Sequence, residues 1–224
     1  MVNKRSLAEF GVLSNFSFLK GGSHPEEYVK QAIKLDLSGL AITDENSVAG
    51  VVKAYSAISS LSKNKSLLLK LIFGARIITK DNFSITTIVK NLKGWKNLCR
   101  ILTTITSTNY NDIRHPSLQR IISLRGGLIF LIHPPEESED PLILKNWIRS
   151  TQKLSKNLSN SYMILSPKYD SLDSTRFRNI ARLSSIFKLK LVASCMPIMH
   201  DKSRQNLIDV LNAIRNKCTV KELG

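Results

Sequence analysis

Leu40-Ala41-Ile42-Thr43-Asp44-Glu45-Asn46-Ser47 passes within a few residues from an apolar run to a polar turn. The apolar half reads as a short buried strand. The segment beyond it, with Val48, Val51, Val52, Tyr55 and Ile58, reads as an amphipathic helix. A strand feeding directly into a helix is the repeating unit of α/β architecture. The acidic residues stand at the C-terminal end of the strand, the edge on which parallel α/β folds build active sites, and this position makes Asp44 a candidate. An equally simple role for Asp44 or Asn46 is to cap the following helix.

The same grammar extends in both directions. Upstream, an apolar segment over 7–13 meets a turn at Lys20-Gly21-Gly22. A helix follows with Ser23 as N-cap, Pro25 in the first turn, Glu26 in a capping box, and Val29, Ala32 and Ile33 as its buried stripe. His24 beside that cap reads as a surface residue. Downstream, a strand region over 67–78, interrupted at Gly74, pairs through the turn Lys80-Asp81-Asn82 with 83–89 as an antiparallel hairpin. Helices are expected over 91–105, with Trp95, Leu98, Leu102 and Ile105 inward, and over 116–124, 142–154, 174–187 and 204–216. Strands are expected over 128–132, 162–165 and 189–194. That makes about seven strand–helix units with no Gly- or Ser-rich linker, so the chain reads as one α/β domain over 1–224, shaped as an irregular barrel.

A chain of 224 residues with 42% hydrophobic residues can bury a core without staples, which excludes collagen-like, low-complexity and mainly disordered classes. No apolar run approaches the 18 or so residues of a membrane span, and the basic start Met1-Val2-Asn3-Lys4-Arg5-Ser6 leads into no signal-type apolar stretch. A cytoplasmic protein without membrane contact is the expectation. Cys99, Cys195 and Cys218 are odd in number and widely spaced, and they read as reduced, mostly buried thiols rather than a disulfide or zinc framework. Thirty-three Lys and Arg against seventeen Asp and Glu give a net charge of +16, spread without any long basic block. Such diffuse charge suits weak, salt-sensitive, sequence-independent attraction to DNA phosphates; a lysine-rich codon bias would produce it as well. Phe16 and Phe18 read as packing residues, so no base-stacking pattern is expected.

Two stretches carry a resemblance: the segment from Leu13-Ser14-Asn15-Phe16-Ser17-Phe18 through Gly21-Gly22-Ser23-His24-Pro25, and Leu40-Ala41-Ile42-Thr43-Asp44-Glu45-Asn46-Ser47. They resemble the N-terminal PHP (polymerase and histidinol phosphatase) domain of bacterial C-family DNA polymerases, and most of all the error-prone, DNA polymerase III alpha-like branch. Leu71-Ile72-Phe73-Gly74-Ala75-Arg76, Asn97-Leu98-Cys99-Arg100 and the tail from Leu207 extend the match over nearly the whole chain.

The resemblance implies a distorted (β/α)7 barrel of the PHP type, whose strand ends in active members hold up to three divalent metals for phosphoester hydrolysis. Such a site needs imidazole and carboxylate donors. The positions of the His-x-His opening fall on Gly11 and Leu13, the third-strand glutamate on Arg76, and the late Asp-x-His pair on Met196 and Ile198. Asp44 survives, and Glu45 stands where histidine is frequent. The implied metal site is therefore degenerate, a loss common in the error-prone branch, and no cofactor is expected. Asp44, Glu45 and Arg76 remain as a vestigial pocket. The Arg76 guanidinium is a candidate partner for Asp44 in place of metal, with a solvent-facing Arg76 the alternative. His115, His133 and His200 read as cap or surface residues.

Three functional readings follow. The first is a structural, DNA-proximal PHP module of an error-prone polymerase acting in DNA replication, DNA repair and translesion synthesis. Its partners would be DNA, the remaining polymerase domains or other damage-response polymerase subunits. The palm and fingers lie outside this sequence, so the chain alone is not expected to polymerise DNA. The second is a metal-dependent phosphoesterase or 3'-5' exonuclease with a reduced ligand set of Asp44, Glu45, His133 and His200, using zinc, manganese or magnesium. The third is a decayed gene remnant.

Overall fold

Strand and helix alternate as the hydrophobic period demands in the computed structural model, which describes residues 7–61, 69–105, 115–135 and 141–223. In chain order the elements are β1 (Ala8–Val12), α1 (Pro25–Lys34), β2 (Gly39–Ile42), α2 (Ala49–Leu61), β3 (Lys70–Ile78), β4 (Ser84–Val89) and α3 (Leu92–Leu102). Then come α4 (Leu118–Ser123), β5 (Leu128–Ile132), α5 (Pro141–Asn157), β6 (Ser161–Leu165), α6 (Asp173–Ile186), β7 (Lys190–Ala193) and α7 (Gln205–Asn216). The hydrogen-bonded order of the seven strands is their chain order. The expected α/β class holds. Residues 1–75 with 196–224 make one compact unit, and residues 76–195 a second.

In the first unit β1 pairs parallel with β2, and β2 with β3, in the register Ile42 to Phe73. A register shift falls between Glu9 and Val12. There the Gly11 amide donates to the Glu9 side chain at 2.8 Å, which satisfies a group that the bulge takes out of the ladder. β2 is buried at every position and reads as a continuous apolar run because neighbours cover both faces. Val12, Leu40 and Ile42 pack with Tyr28, Val29 and Ala32 of α1 and with Val51 and Ala54 of α2.

Several local expectations need correction. The N-cap of α1 is His24, with Glu27 as the N3 acid taking the His24 amide at 2.8 Å, because Ser23 turns its hydroxyl elsewhere. On α2 the inward residues are Val51 and Ala54, while Val52 and Tyr55 are 61% and 59% exposed: the buried stripe is narrower than the apolar one. β3 runs through Gly74 unbroken. Phe18, expected in the core, is 83% exposed. Cys195 is exposed and Cys99 and Cys218 are half-buried.

In the second unit Asn82, at a left-handed φ of 55°, turns the chain between β3 and β4. β4 pairs antiparallel with β5, from Ile85 opposite Ile132 to Val89 opposite Leu128, and β5, β6 and β7 continue in parallel. α3 starts at an Asn91 cap whose side chain accepts from the Gly94 amide at 3.1 Å. Gly94 sits so close to the Gly127 carbonyl that a Cβ would lie 1.9 Å from its oxygen, and Gly127 itself has φ +78°. Both glycines are therefore required for the helix start to dock on the turn before β5. Leu98, Ile101, Ile121, Phe130, Leu154 and Met163 are fully buried.

A titratable group lies within that core. His133 is 6% exposed at the end of β5; its Nε2 bonds the Thr86 hydroxyl at 2.8 Å, and its carbonyl accepts the Trp147 indole N–H at 2.7 Å. Burial, with help from the Arg76 charge, pushes the imidazole well below its usual range. The folded state thus refuses a proton that the unfolded chain accepts near pH 6.5, so stability is lost as pH falls below that value. Chemical denaturation should show ΔG falling between pH 7 and pH 5.5 with a slope of up to about 1.4 kcal/mol per pH unit from this group. His133→Gln should be weaker at pH 7 yet flatter with pH; parallel slopes would refute the assignment.

Candidate functional site

Asp44 follows the last residue of β2 and is 1% exposed. A carboxylate taken from water needs donors in compensation, and the loop after β1 supplies them. Oδ1 accepts from the Ser14 amide and the Ser17 hydroxyl, both at 2.7 Å, and Oδ2 accepts from the Ser14 hydroxyl at 2.7 Å. Burial raises the Asp44 pKa, and the bonds from Ser17 and Ser14 work against that rise. The carboxylate thus holds the 14–17 loop and does not serve as the cap of α2. Gly50 makes room for it: a Cβ there would stand 2.2 Å from Oδ2 and 2.9 Å from the Ser14 hydroxyl.

Glu45 is bound on both sides. Its amide donates to the Ser17 hydroxyl at 3.0 Å, and its carboxylate pairs with Lys20 at 2.7 Å. Ser17 consequently links two adjacent acidic residues, giving its proton to one and taking the other's N–H.

His200 lies in the same unit but meets other groups. Ser23, 1% exposed, accepts the His200 backbone N–H at 3.0 Å and bonds its Nδ1 at 2.8 Å. Glu27 comes within 3.8 Å of the same nitrogen and is also paired with Arg204. The Tyr28 ring stands edge-on to the imidazole at 6.3 Å. The Tyr28 hydroxyl lies within hydrogen-bond reach of the Leu13 and Pro197 carbonyls, and burial raises its pKa.

Backbone bonds join the segment after β7 to the loop after β1: Leu13 N–H to Pro197, and Gly22 N–H to Ile198, at 3.1 and 2.8 Å. Glu9 adds a side-chain bond, accepting from the Met196 amide at 3.3 Å. The stretches around Gly11, Leu13, Met196 and Ile198, where the resemblance puts metal donors, are thus fastened by main-chain groups.

Arg76 and His133 belong to the second unit. There Arg76 Nε donates to the Ser84 hydroxyl at 2.8 Å, and His133 is buried as described. Asp44 takes all its hydrogen bonds from within the first unit. Among the described residues no three His, Cys, Asp or Glu side chains gather as a metal site would require. Sequence reasoning missed Ser14, Ser17, Ser23 and Glu9. The available signal was three serines in the loop after β1, which precedes the two acids that directly follow β2.

No helix among the described residues is long and apolar enough to cross a membrane. Comparison with known proteins places these observations. The error-prone DNA polymerase of Rhodopseudomonas palustris strain BisB5 is 30% identical over 97% of this chain, and that of Mesorhizobium japonicum 34% identical over 97%. The chain spans 19% of the length of each. Among solved structures, one assigned to a metal-dependent phosphoesterase of Bifidobacterium adolescentis matches with TM-score 0.54 at 13% identity, covering 92% of this chain and 96% of that one. An amidohydrolase from Chromobacterium violaceum matches with TM-score 0.59 at 11% identity, covering 87% and 88%. At such identities the likeness speaks for the fold, which is that of the PHP-type (β/α)7 enzymes. The family profile described as PHP domain matches residues 10–160, across both units, and the chain belongs to the PHP domain family.

Proposed function

We propose that residues 1–224 form a single PHP module of an error-prone bacterial DNA polymerase, one that has exchanged metal chemistry for an architectural role beside DNA. Replication across damaged template would be the work of the part of such a polymerase that this chain does not span. The observation that carries the reading is the serine cage of Asp44. Both carboxylate oxygens are engaged by Ser14 and Ser17, so the one acid that survives from the implied ligand set is committed to holding a loop. At the other positions of the implied ligand set, Gly11, Leu13, Met196 and Ile198 offer no imidazole or carboxylate, and Arg76 is a cation. Second-shell groups orient ligands but do not replace missing ones.

The alternative, hydrolysis by Asp44, Glu45, His133 and His200, makes a different prediction for metal. Protein dialysed against zinc, manganese or magnesium and then desalted should retain no stoichiometric metal by elemental analysis, and manganese should elicit no hydrolysis of a phosphodiester or of a DNA 3' end. Retention of one or more equivalents together with hydrolysis would overturn the structural reading in favour of the enzyme.

The cage itself is testable through pH. The folded pKa of Asp44 lies above its unfolded value, so what this group contributes to stability declines as pH rises from the unfolded pKa through the folded one. Ser17→Ala removes a bond made to the ionised form and raises the folded pKa further. Its cost should be about 1–3 kcal/mol on the high-pH side of the folded pKa, where the carboxylate is charged, and smaller on the low-pH side, where it is protonated. Denaturant unfolding of wild type and variant on the two sides measures it; a loss independent of pH would show that the serine acts by packing alone.

A further inference from the structure

α5 is 17 residues long and contains no Asp or Glu. Its cations, Lys145, Arg149, Lys153 and Lys156, are all exposed. At about 100° per residue they fall at roughly 0°, 40°, 80° and 20° around the axis, one ridge about 16 Å long. The buried Trp147, Thr151 and Leu154 fall at roughly 200°, 240° and 180° on the same scale, so the ridge is turned away from the core.

Among the described residues Lys20 is paired with Glu45, Arg204 with Glu27, and Arg176 of α6 with Asp170 and Asp173. None of the four ridge cations is paired with a carboxylate among the described residues. A row of unneutralised like charges on one helix repels itself and contributes nothing to the fold, so its chemistry points outward, to a polyanion.

We propose that the α5 ridge is the surface by which this chain holds the sugar–phosphate backbone of duplex DNA; the proposal rests on the DNA-proximal reading above and localises it. Phosphates of one strand rise by about 3.4 Å per nucleotide, so the ridge is long enough to meet about four of them. Such contacts position a protein on DNA without reading sequence. The geometry argues against a membrane surface, because a helix lying on lipid needs its apolar face free and that of α5 is turned inward. The exposed Leu142, Ile143, Leu144 and Ile148 fall at roughly 60°, 160°, 260° and 300° and make no single insertion face.

The test is fluorescence anisotropy of the full chain with a labelled random-sequence duplex at several salt concentrations between about 50 and 200 mM. The variant K145Q/R149Q/K153Q/K156Q should lower the slope of log K against log salt by about 3 to 4, since each lost phosphate contact removes about 0.9. A control with the same charge change in the other unit, K30Q/K34Q/K53Q/K221Q, should alter it by less than about 1. Equal losses in both variants would overturn the ridge and leave diffuse DNA attraction standing. Failure of the wild-type chain to bind duplex at all would sink the DNA reading itself. Binding to phosphatidylserine vesicles without binding to duplex would reassign the ridge to lipid and overturn the proposal. If the quadruple variant does not fold, K153Q and K156Q singly carry the same test, with an expected slope change of about 0.9 each.

Discussion

A carboxylate that leaves water must be given donors or a cation, and the organisation of the first unit follows from how Asp44 meets that demand. Three short hydrogen bonds from two serines fix the loop after β1 over the end of β2. Because Ser17 also takes the Glu45 amide, and Glu45 holds Lys20, the loop is bound at three successive points to one turn of chain. Gly50 is the steric counterpart of the same interaction, since any side chain there would occupy the space of the carboxylate. In a metal enzyme of this fold the cation would do the neutralising and the ligands would draw the strand ends together. Hydroxyls and amides can do the second task without the first, which is why the site can keep its shape on the proposed reading while its acid keeps a raised pKa.

The second unit solves a related problem by neutralisation of the base. His133 is buried and has a guanidinium nearby, two conditions that favour the uncharged ring, and the Thr86 hydroxyl is its hydrogen-bond partner. A neutral imidazole with one nitrogen committed to a threonine is a packing element with a polar handle. It fixes the end of β5 against β4, and its carbonyl fixes Trp147 of α5, which in turn packs edge-on against Phe187 at 5.7 Å. The helix that presents the cationic ridge is therefore anchored through its buried face by an indole with both a hydrogen bond and an aromatic contact. Positive charge that repels itself along one side can be tolerated because the other side is held this firmly.

Much of this was legible in the residues. Strand 128–132 and the order of the seven strands follow from apolar period and turn residues, because most turns carry Gly, Pro, Asn or Asp. What was not legible depends on contacts far apart in sequence. Ser23 has the composition of an N-cap, yet its hydroxyl is drawn to His200, 177 positions away, and the cap moves one residue on. Val52 and Tyr55 have the right spacing for a core stripe, but β2 and α1 cover only the side of α2 that carries Val51 and Ala54. Asp44 was identifiable as a candidate by its place at a strand end; its serine partners were not, since a serine in a loop looks the same whether it faces water or a buried acid.

The two units accommodate a buried titratable group by opposite routes. The acid is surrounded by donors and the base is held without its proton, and each is tied into the fold by those contacts. Charge that is not absorbed in this way is then the informative remainder. Lys20, Arg176 and Arg204 are spent on nearby acids. Among the described residues the cations of α5 are not, and the helix itself carries no carboxylate to balance them. Net charge alone states only that the chain attracts polyanions; the pairing pattern separates cations used for folding from cations without an acid, and on α5 four of the latter share one face.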